Sequence, residues 1–247
     1  MNIAQLNHVV DLDALDNAHP HHILSWAAKS VDRLAIASSF QSSGLVMLHM
    51  LQSIRADLPV LFLDTGFHFD ETIAFKNQVV DIWDLNVVDL SGKHGSVRAQ
   101  NLKYGFELYR SNPDQCCFIN KIEPLQRALE EFDGWISGLR RDQSKIRSKT
   151  PVVEDQELLS GREVIKIHPL ASWTKTDVNR YLAEHDIPTH PLLELGFASI
   201  GCAPCTSAAG ASGSDERAGR WQGFDKTECG IHSIGTSGGS RQNKAAQ

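Results

Sequence analysis

The chain has 247 residues, 41% of them hydrophobic and 22% charged, and a formal net charge of -6. That is the size and composition of one larger globular domain with a full core, and the acidic balance excludes non-specific nucleic-acid binding, which needs a positive surface. No apolar run is long enough to span a bilayer, so a soluble protein is expected.

The opening "MNIAQLNHVVDLDALDN" carries acids and lacks a basic start followed by an apolar centre, so no signal peptide is expected. The resulting assignment is cytoplasmic, where thiols stay reduced, and the five cysteines read as ligands or reactive groups rather than disulfides. The first stretch, to residue 28, reads as helix broken near His19-Pro20. "HPHH" at residues 19–22 reads as a solvated helix cap, because no further metal ligand lies nearby in the chain. "RLAIASSF" (33–40) is a short buried strand, and "GLVMLHMLQSIR" (44–55) has the three-to-four apolar spacing of a helix. "PVLFLDTG" (59–66) is a second buried strand, followed by a helix over 71–80 and a strand at "LNVVDL" (85–90). Further on come a helix over 119–132, strands at "GWISG" and "EVIKIHPL", and a helix over 174–185. Apolar strands alternating with helices predict an α/β fold, a parallel sheet covered on both faces. One nucleotide-binding domain is expected over residues 1–208. From 209 to 247 the chain is rich in Gly and Ser and poor in large apolar residues, which predicts a flexible C-terminal arm.

In such sheets, ligands bind beyond the carboxyl ends of the strands. Three segments fall there. "SSFQSSG" (38–44) leads into a helix whose start suits an anion, making Ser38, Ser39, Gln41 and Ser42 candidate ligands; a plain cap by Ser42 or Ser43 is the alternative. "LDTG" offers Asp64, Thr65 and Gly66 for a ribose or adenine edge. "SGLRRDQSKIRSK" (137–149) crowds five cations, among them Arg140 and Arg147, into one loop of an acidic chain, as a multiply anionic substrate would require.

The cysteines include an adjacent pair, Cys116-Cys117, and a spaced pair in "CAPC", Cys202 and Cys205. The spaced pair alone fits zinc, an iron–sulfur cluster or a redox dithiol. Neighbouring side chains diverge too far to meet on one small ion, whether in a strand or at a helix start. A four-iron cube offers separate corners, which favours a cluster over zinc. Lys121, one helical turn after Cys117, can balance thiolate charge or hold an anion beside it. The fifth cysteine, Cys229, stands apart in "KTECGIHS" with Glu228 before it and His232 after it. It sits in the Gly- and Ser-rich arm, not in an apolar run.

"CC-x3-K-x2-PL", "WISGLRRDQS", "SIGCAPCT", "ERAGRW" and "ECGIH" occur in that order between residues 116 and 232. Together they resemble the assimilatory adenylyl-sulfate reductases of the phosphoadenylyl-sulfate reductase family, the likeness running from about residue 34 to 232. The resemblance implies an adenine-nucleotide α-hydrolase-like fold and thioredoxin-dependent reduction of adenosine 5′-phosphosulfate to sulfite and AMP. It implies Cys229 as the nucleophile; read from the residues, that thiolate attacks the phosphosulfate sulfur and is left S-sulfonated, while His232 either assists it when protonated or is a solvated tail residue. A [4Fe-4S] cluster on Cys116, Cys117, Cys202 and Cys205 follows from the same likeness, as does an anion site of Lys121, Arg147, Arg217 and Arg220. Family members are often homo-oligomers. Reduction of the 3′-phosphorylated nucleotide is the nearest rival, since the paired cysteines point to the substrate without that phosphate. An ATP-dependent sulfurtransferase is more remote, because "SSFQSSG" lacks the paired glycines of a pyrophosphate loop. A zinc-holding nucleotide-binding module is the non-enzymatic alternative.

Overall fold

A computed structural model describes residues 12–208, 216–224, 226, 228 and 230–232. Six strands form one sheet in the order β3-β2-β1-β4-β6-β5: β1 (Leu34–Ala37), β2 (Val60–Leu63), β3 (Val87–Leu90), β4 (Gly134–Ile136), β5 (Val153–Glu157) and β6 (Glu163–Ile167). Pairings β3-β2-β1-β4-β6 are all parallel. Strand β5 runs antiparallel to β6, so the all-parallel expectation is corrected at that edge.

Both faces of the sheet are covered, which is why the central strands "LAIA", "VLFL" and "GWI" need apolar residues without alternation. On one face Ile36 and Ile165 meet Ile23, Leu24, Leu45, Leu48 and Val178, from the helices Pro20–Ser30, Ser42–Gln52 and Lys175–Glu184. On the other, Ala35, Leu61, Trp135 and Val164 pack with Leu125 and Leu129 of the helix Glu123–Leu129. Each such fully buried aliphatic side chain contributes about 1.5–3 kcal/mol relative to exposure.

His19 caps the helix Pro20–Ser30, its ring accepting the His21 N–H at 3.2 Å, as the sequence reading of "HPHH" has it. The helix expected over 119–132 begins earlier, as Pro113–Cys117, and widens into a π turn at Phe118–Ile122 before continuing as Glu123–Leu129. Such turns insert an extra residue and are frequent at functional sites. Here the turn directly follows the adjacent cysteines. Among the described residues no helix is long and apolar enough to cross a membrane.

Candidate active site

Strand β1 delivers the serine loop to the carboxyl edge of the sheet. Ser38 Oγ accepts the Phe40 N–H at 3.1 Å, holding buried Phe40 at φ 56° and turning the chain into the helix Ser42–Gln52. No side chain caps that helix start. Gln41, at the cap position, instead forms a two-way clasp with Ile200, donating to its carbonyl at 2.6 Å and accepting its N–H at 2.9 Å. Ser43 Oγ accepts from Arg140 at 2.6 Å. The plain-cap reading of Ser42 and Ser43 therefore gives way to a helix start that suits an anion. Ser38, Ser39, Gln41 and Ser42 all line a cavity of about 240 Å³, which Lys121, Arg147, Arg217, Arg220 and His232 enter from other elements.

Two expected contributors lie elsewhere. Asp64, Thr65 and Gly66 do not line this cavity. Asp64 closes its own turn by accepting the Gly66 N–H at 2.9 Å, and Thr65 Oγ1 lies 3.4 Å from Cys202 Sγ. Arg140, 2% exposed, is spent on structure. It holds Ser43, Asp142 at 2.9 Å and Glu216 at 2.7 Å, tying the serine loop to "ERAGRW".

The four paired cysteines line one smaller cavity with Lys121, Asn120, Tyr109 and Trp221. Cys116 is pushed up to about 11, chiefly by burial and then by the charge of Cys202. Burial also acts to raise Cys202, but Lys121, the Thr65 hydroxyl and Arg220 outweigh it and hold that thiol below its usual value. Among the described residues no group of three or more His, Cys, Asp or Glu is arranged to hold a metal ion. The four thiols line one cavity, three of them buried and Cys205 half-buried, and thiolates held there require compensating positive charge. That donor set fits a polynuclear iron–sulfur group better than a single zinc. Lys121, Cys202 and Trp221 line both cavities, so the two share a wall.

The described part of the C-terminal segment is docked here, where the sequence predicts a flexible arm. Thr206 and Arg220 form an antiparallel bridge, and the Trp221 N–H donates to Cys205 O at 2.9 Å, pinning "ERAGRW" to "CAPC". Arg220 lies over the Trp221 ring at 4.6 Å and Arg217 at 5.3 Å, cation–π contacts that hold both guanidiniums at the cavity wall. Gly201 makes room for this: a Cβ there would run into the Arg220 guanidinium. Gly201→Ala should therefore displace Arg220 and raise the KM for an anionic nucleotide about tenfold or more, measured by steady-state kinetics.

Cys229 lies outside the described residues. Its neighbours do not. Glu228 forms a bidentate pair with Arg147, at 3.0 and 2.6 Å, and reaches Arg217 at 3.2 Å. Gly230, at φ 85°, approaches Ile122 of the π turn so closely that a Cβ would lie 2.9 Å from Ile122 Cδ1. His232 is half-buried and stacked beside Trp135, and desolvation of its ring, then Lys166 and Arg147, drive its pKa well below 6.5. That direction disfavours the protonated His232 that the sequence reading offered as assistance to Cys229.

Below it runs a buried polar chain that the sequence reading missed. Ser137 Oγ lies 2.8 Å from His168 Nδ1, and His168 Nε2 lies 3.0 Å from Glu154, which pairs with Lys166 at 2.9 Å. An ionised Glu154 accepts from Nε2–H, so the Ser137 hydroxyl donates to Nδ1. Burial lowers His168 to about 4, with Glu154 opposing. Between pH 6.5 and 4 the unfolded chain takes up a proton that the folded one refuses. Stability should fall as pH falls through that window, by on the order of 3 kcal/mol from this residue. Urea unfolding at pH 7 and 5 checks it: His168→Gln should flatten the difference.

Residues 33–208 match the family described as phosphoadenosine phosphosulfate reductase domain. The chain belongs to this reductase family. An adenosine 5′-phosphosulfate reductase of Streptomyces coelicolor is 42% identical over 219 residues, covering 88% of this chain and 90% of that protein. A phosphoadenosine 5′-phosphosulfate reductase of Gloeobacter violaceus is 43% identical over 216 residues, 86% of this chain and 88% of its own. The crystal structure of a phosphoadenylyl-sulfate reductase from Candida auris, a phosphate complex, superposes with a TM-score of 0.72 at 30% identity, covering 84% of this chain and 98% of that one. The reductase fold agrees with the expected nucleotide-hydrolase-like architecture, and FMN adenylyltransferase from Candida glabrata shares it at 11% identity and a TM-score of 0.57. His68, Gln143 and Glu216 also line the larger cavity and were not anticipated. An Asp-Thr-Gly turn running into "FHF" is the one signal that could have pointed to His68.

Proposed function

We propose that the chain reduces adenosine 5′-phosphosulfate to sulfite and AMP, taking electrons from thioredoxin through an S-sulfonate on Cys229. The observation that carries this reading is the shared wall. Lys121 and Cys202 border both the four-cysteine cavity and the anion cavity, into which Arg147, Arg217 and Arg220 also project. Arginines and a lysine around a helix start suit a phosphosulfate, whose bridging oxygen must leave with its electron pair.

The Cys229 thiolate attacks the substrate sulfur; the new S–S bond forms as the bridging S–O bond breaks, and AMP departs with that pair. Arg217 and Arg220 hold the charge that develops on it. A thiolate of thioredoxin then attacks the Cys229 sulfur and expels sulfite, and its second thiol resolves the mixed disulfide and frees Cys229. Two thiols thus supply both electrons. Cys116, Cys117, Cys202 and Cys205 would hold a [4Fe-4S] cluster, whose contribution when bound is structural and electrostatic. Lys121, bonded to Cys202, lies between that site and the anion. Glu228, through Arg147 and Arg217, and His232, beside Trp135, orient the segment around Cys229.

Protein mixed with adenosine 5′-phosphosulfate and no reductant should gain the mass of one SO3 on the peptide containing Cys229. An unmodified peptide at full nucleotide occupancy would overturn the reading. Running the 3′-phosphorylated nucleotide in parallel decides between the two substrates.

A further inference from the structure

Trp135, Lys166 and Glu154 stand side by side on β4, β6 and β5: Trp135 pairs in register with Lys166, and Lys166 with Glu154. Lys166 is fully buried, which an ammonium tolerates only with a counter-charge and satisfied donors. Glu154 supplies the charge at 2.9 Å and the Trp135 ring a face at 5.5 Å. The remaining partner is not in the sheet. It is the backbone carbonyl of His232, which accepts from Lys166 Nζ at 3.3 Å. The His232 ring lies nearly parallel to Trp135, at 10° with centroids 6.2 Å apart. Both the carbonyl and the ring of this one residue therefore rest on a single row of strand side chains.

A buried ion pair is a poor way to fill a core, since apolar residues of the same volume often do so with equal or greater stability. A methionine at 166 would fill the space; it cannot bond the His232 carbonyl. Four residues earlier in the chain, Glu228 is held by Arg147 and Arg217. The segment is thus gripped at both ends, at 228 from the loop cations and at 232 from the sheet.

We propose that Lys166 is a positioning residue for sulfonation: through the His232 carbonyl it fixes the carboxyl end of the "ECGIH" segment against the nucleotide cavity. The proposal rests on the assignment of Cys229 as nucleophile. Lys166 lines neither cavity, so its removal acts on the reaction step and not on nucleotide binding.

The test uses the holo-protein and three variants: Lys166→Met, Glu154→Gln, and the two combined, which removes both buried charges at nearly constant volume and guards against misfolding. Hydrogen exchange of the peptide spanning 228–232, AMP affinity and single-turnover S-sulfonate formation are measured for each. In Lys166→Met and the double variant, exchange in that peptide should rise and sulfonation slow, each by about tenfold or more, with the AMP Kd within about twofold. Glu154→Gln removes the counter-charge, so the buried Lys166 sheds its proton, but the neutral amine still donates to the His232 carbonyl and each readout should change by less than about threefold. Unchanged exchange in the double variant overturns the proposal, as does an equal loss in Glu154→Gln or a parallel loss of AMP binding. A wild-type protein that forms no S-sulfonate overturns the nucleophile assignment instead, and the exchange comparison still decides whether Lys166 anchors the segment.

Discussion

Serine at position 229 should end sulfite production, by a factor of about 10⁴ or more, while AMP still binds within about twofold of wild type. Two separate losses add up to that. A hydroxyl is far harder to ionise than a thiol, so the attack on the phosphosulfate loses its nucleophile. Any SO3 that did reach the serine would sit there as a sulfate ester. It would have no sulfur–sulfur bond for an incoming thiolate to cleave, and the reductant could not release sulfite from it. The cavity itself stays intact, because the groups around position 229 reach it without that side chain: Glu228 grips Arg147, Gly230 lies against Ile122, and His232 rests beside Trp135. Isothermal titration with AMP and a sulfite assay on the same preparation separate the two outcomes. Loss of both together would mean that Cys229 is needed for the fold of the site, and retention of both would remove it from the chemistry.

The parts of this site that were legible in the sequence are those whose residue type is rare in their setting. Paired cysteines and a run of cations in an acidic chain announce themselves without a structure, whereas Arg217 and Arg220 came only through the resemblance that "ERAGRW" helps to carry. Strands β1, β2 and β4 were equally plain, since burial on both faces demands continuous apolar residues. Strand β5 was not: "VEDQE" has three acids in five residues and reads as loop. Only the register with β6 turns Glu154 inward onto Lys166, and neither residue departs from an ordinary half-exposed strand until that pairing is known. Arg140 failed for a related reason. Charge density along a loop says nothing about which cation will meet a carboxylate, and its partner Glu216 lies 76 residues away. The Asp-Thr-Gly turn was assigned to the nucleotide from its place at the end of β2; it stands at that edge but does not line the larger cavity. Its threonine faces Cys202 instead.

That contact leads to the second large effect. Cys202→Ser should strip the protein of iron, to below about a tenth of the wild-type content, and with it the broad visible absorbance of an iron–sulfur chromophore. A serine hydroxyl is a hard, weakly acidic donor where iron and sulfide call for a thiolate, and the position is buried, so water does not readily replace the missing ligand. The damage should not stop at the metal. Lys121 bonds Cys202 and lines the anion cavity, and Arg220 lies close enough to lower the same thiol. With the thiolate gone, Lys121 and Arg220 both lose a negative charge that helps orient them, and S-sulfonate formation should slow about a hundredfold. Thr65→Val is the matching control. It removes the hydroxyl 3.4 Å from Cys202 Sγ but leaves all four thiols, so iron content should survive while the sulfonation rate falls by no more than about tenfold. Colourless wild-type protein carrying one tetrahedral zinc would contradict the cluster outright. A Cys202→Ser protein that kept its iron would show that the four cysteines lining this cavity do not act as one ligand set.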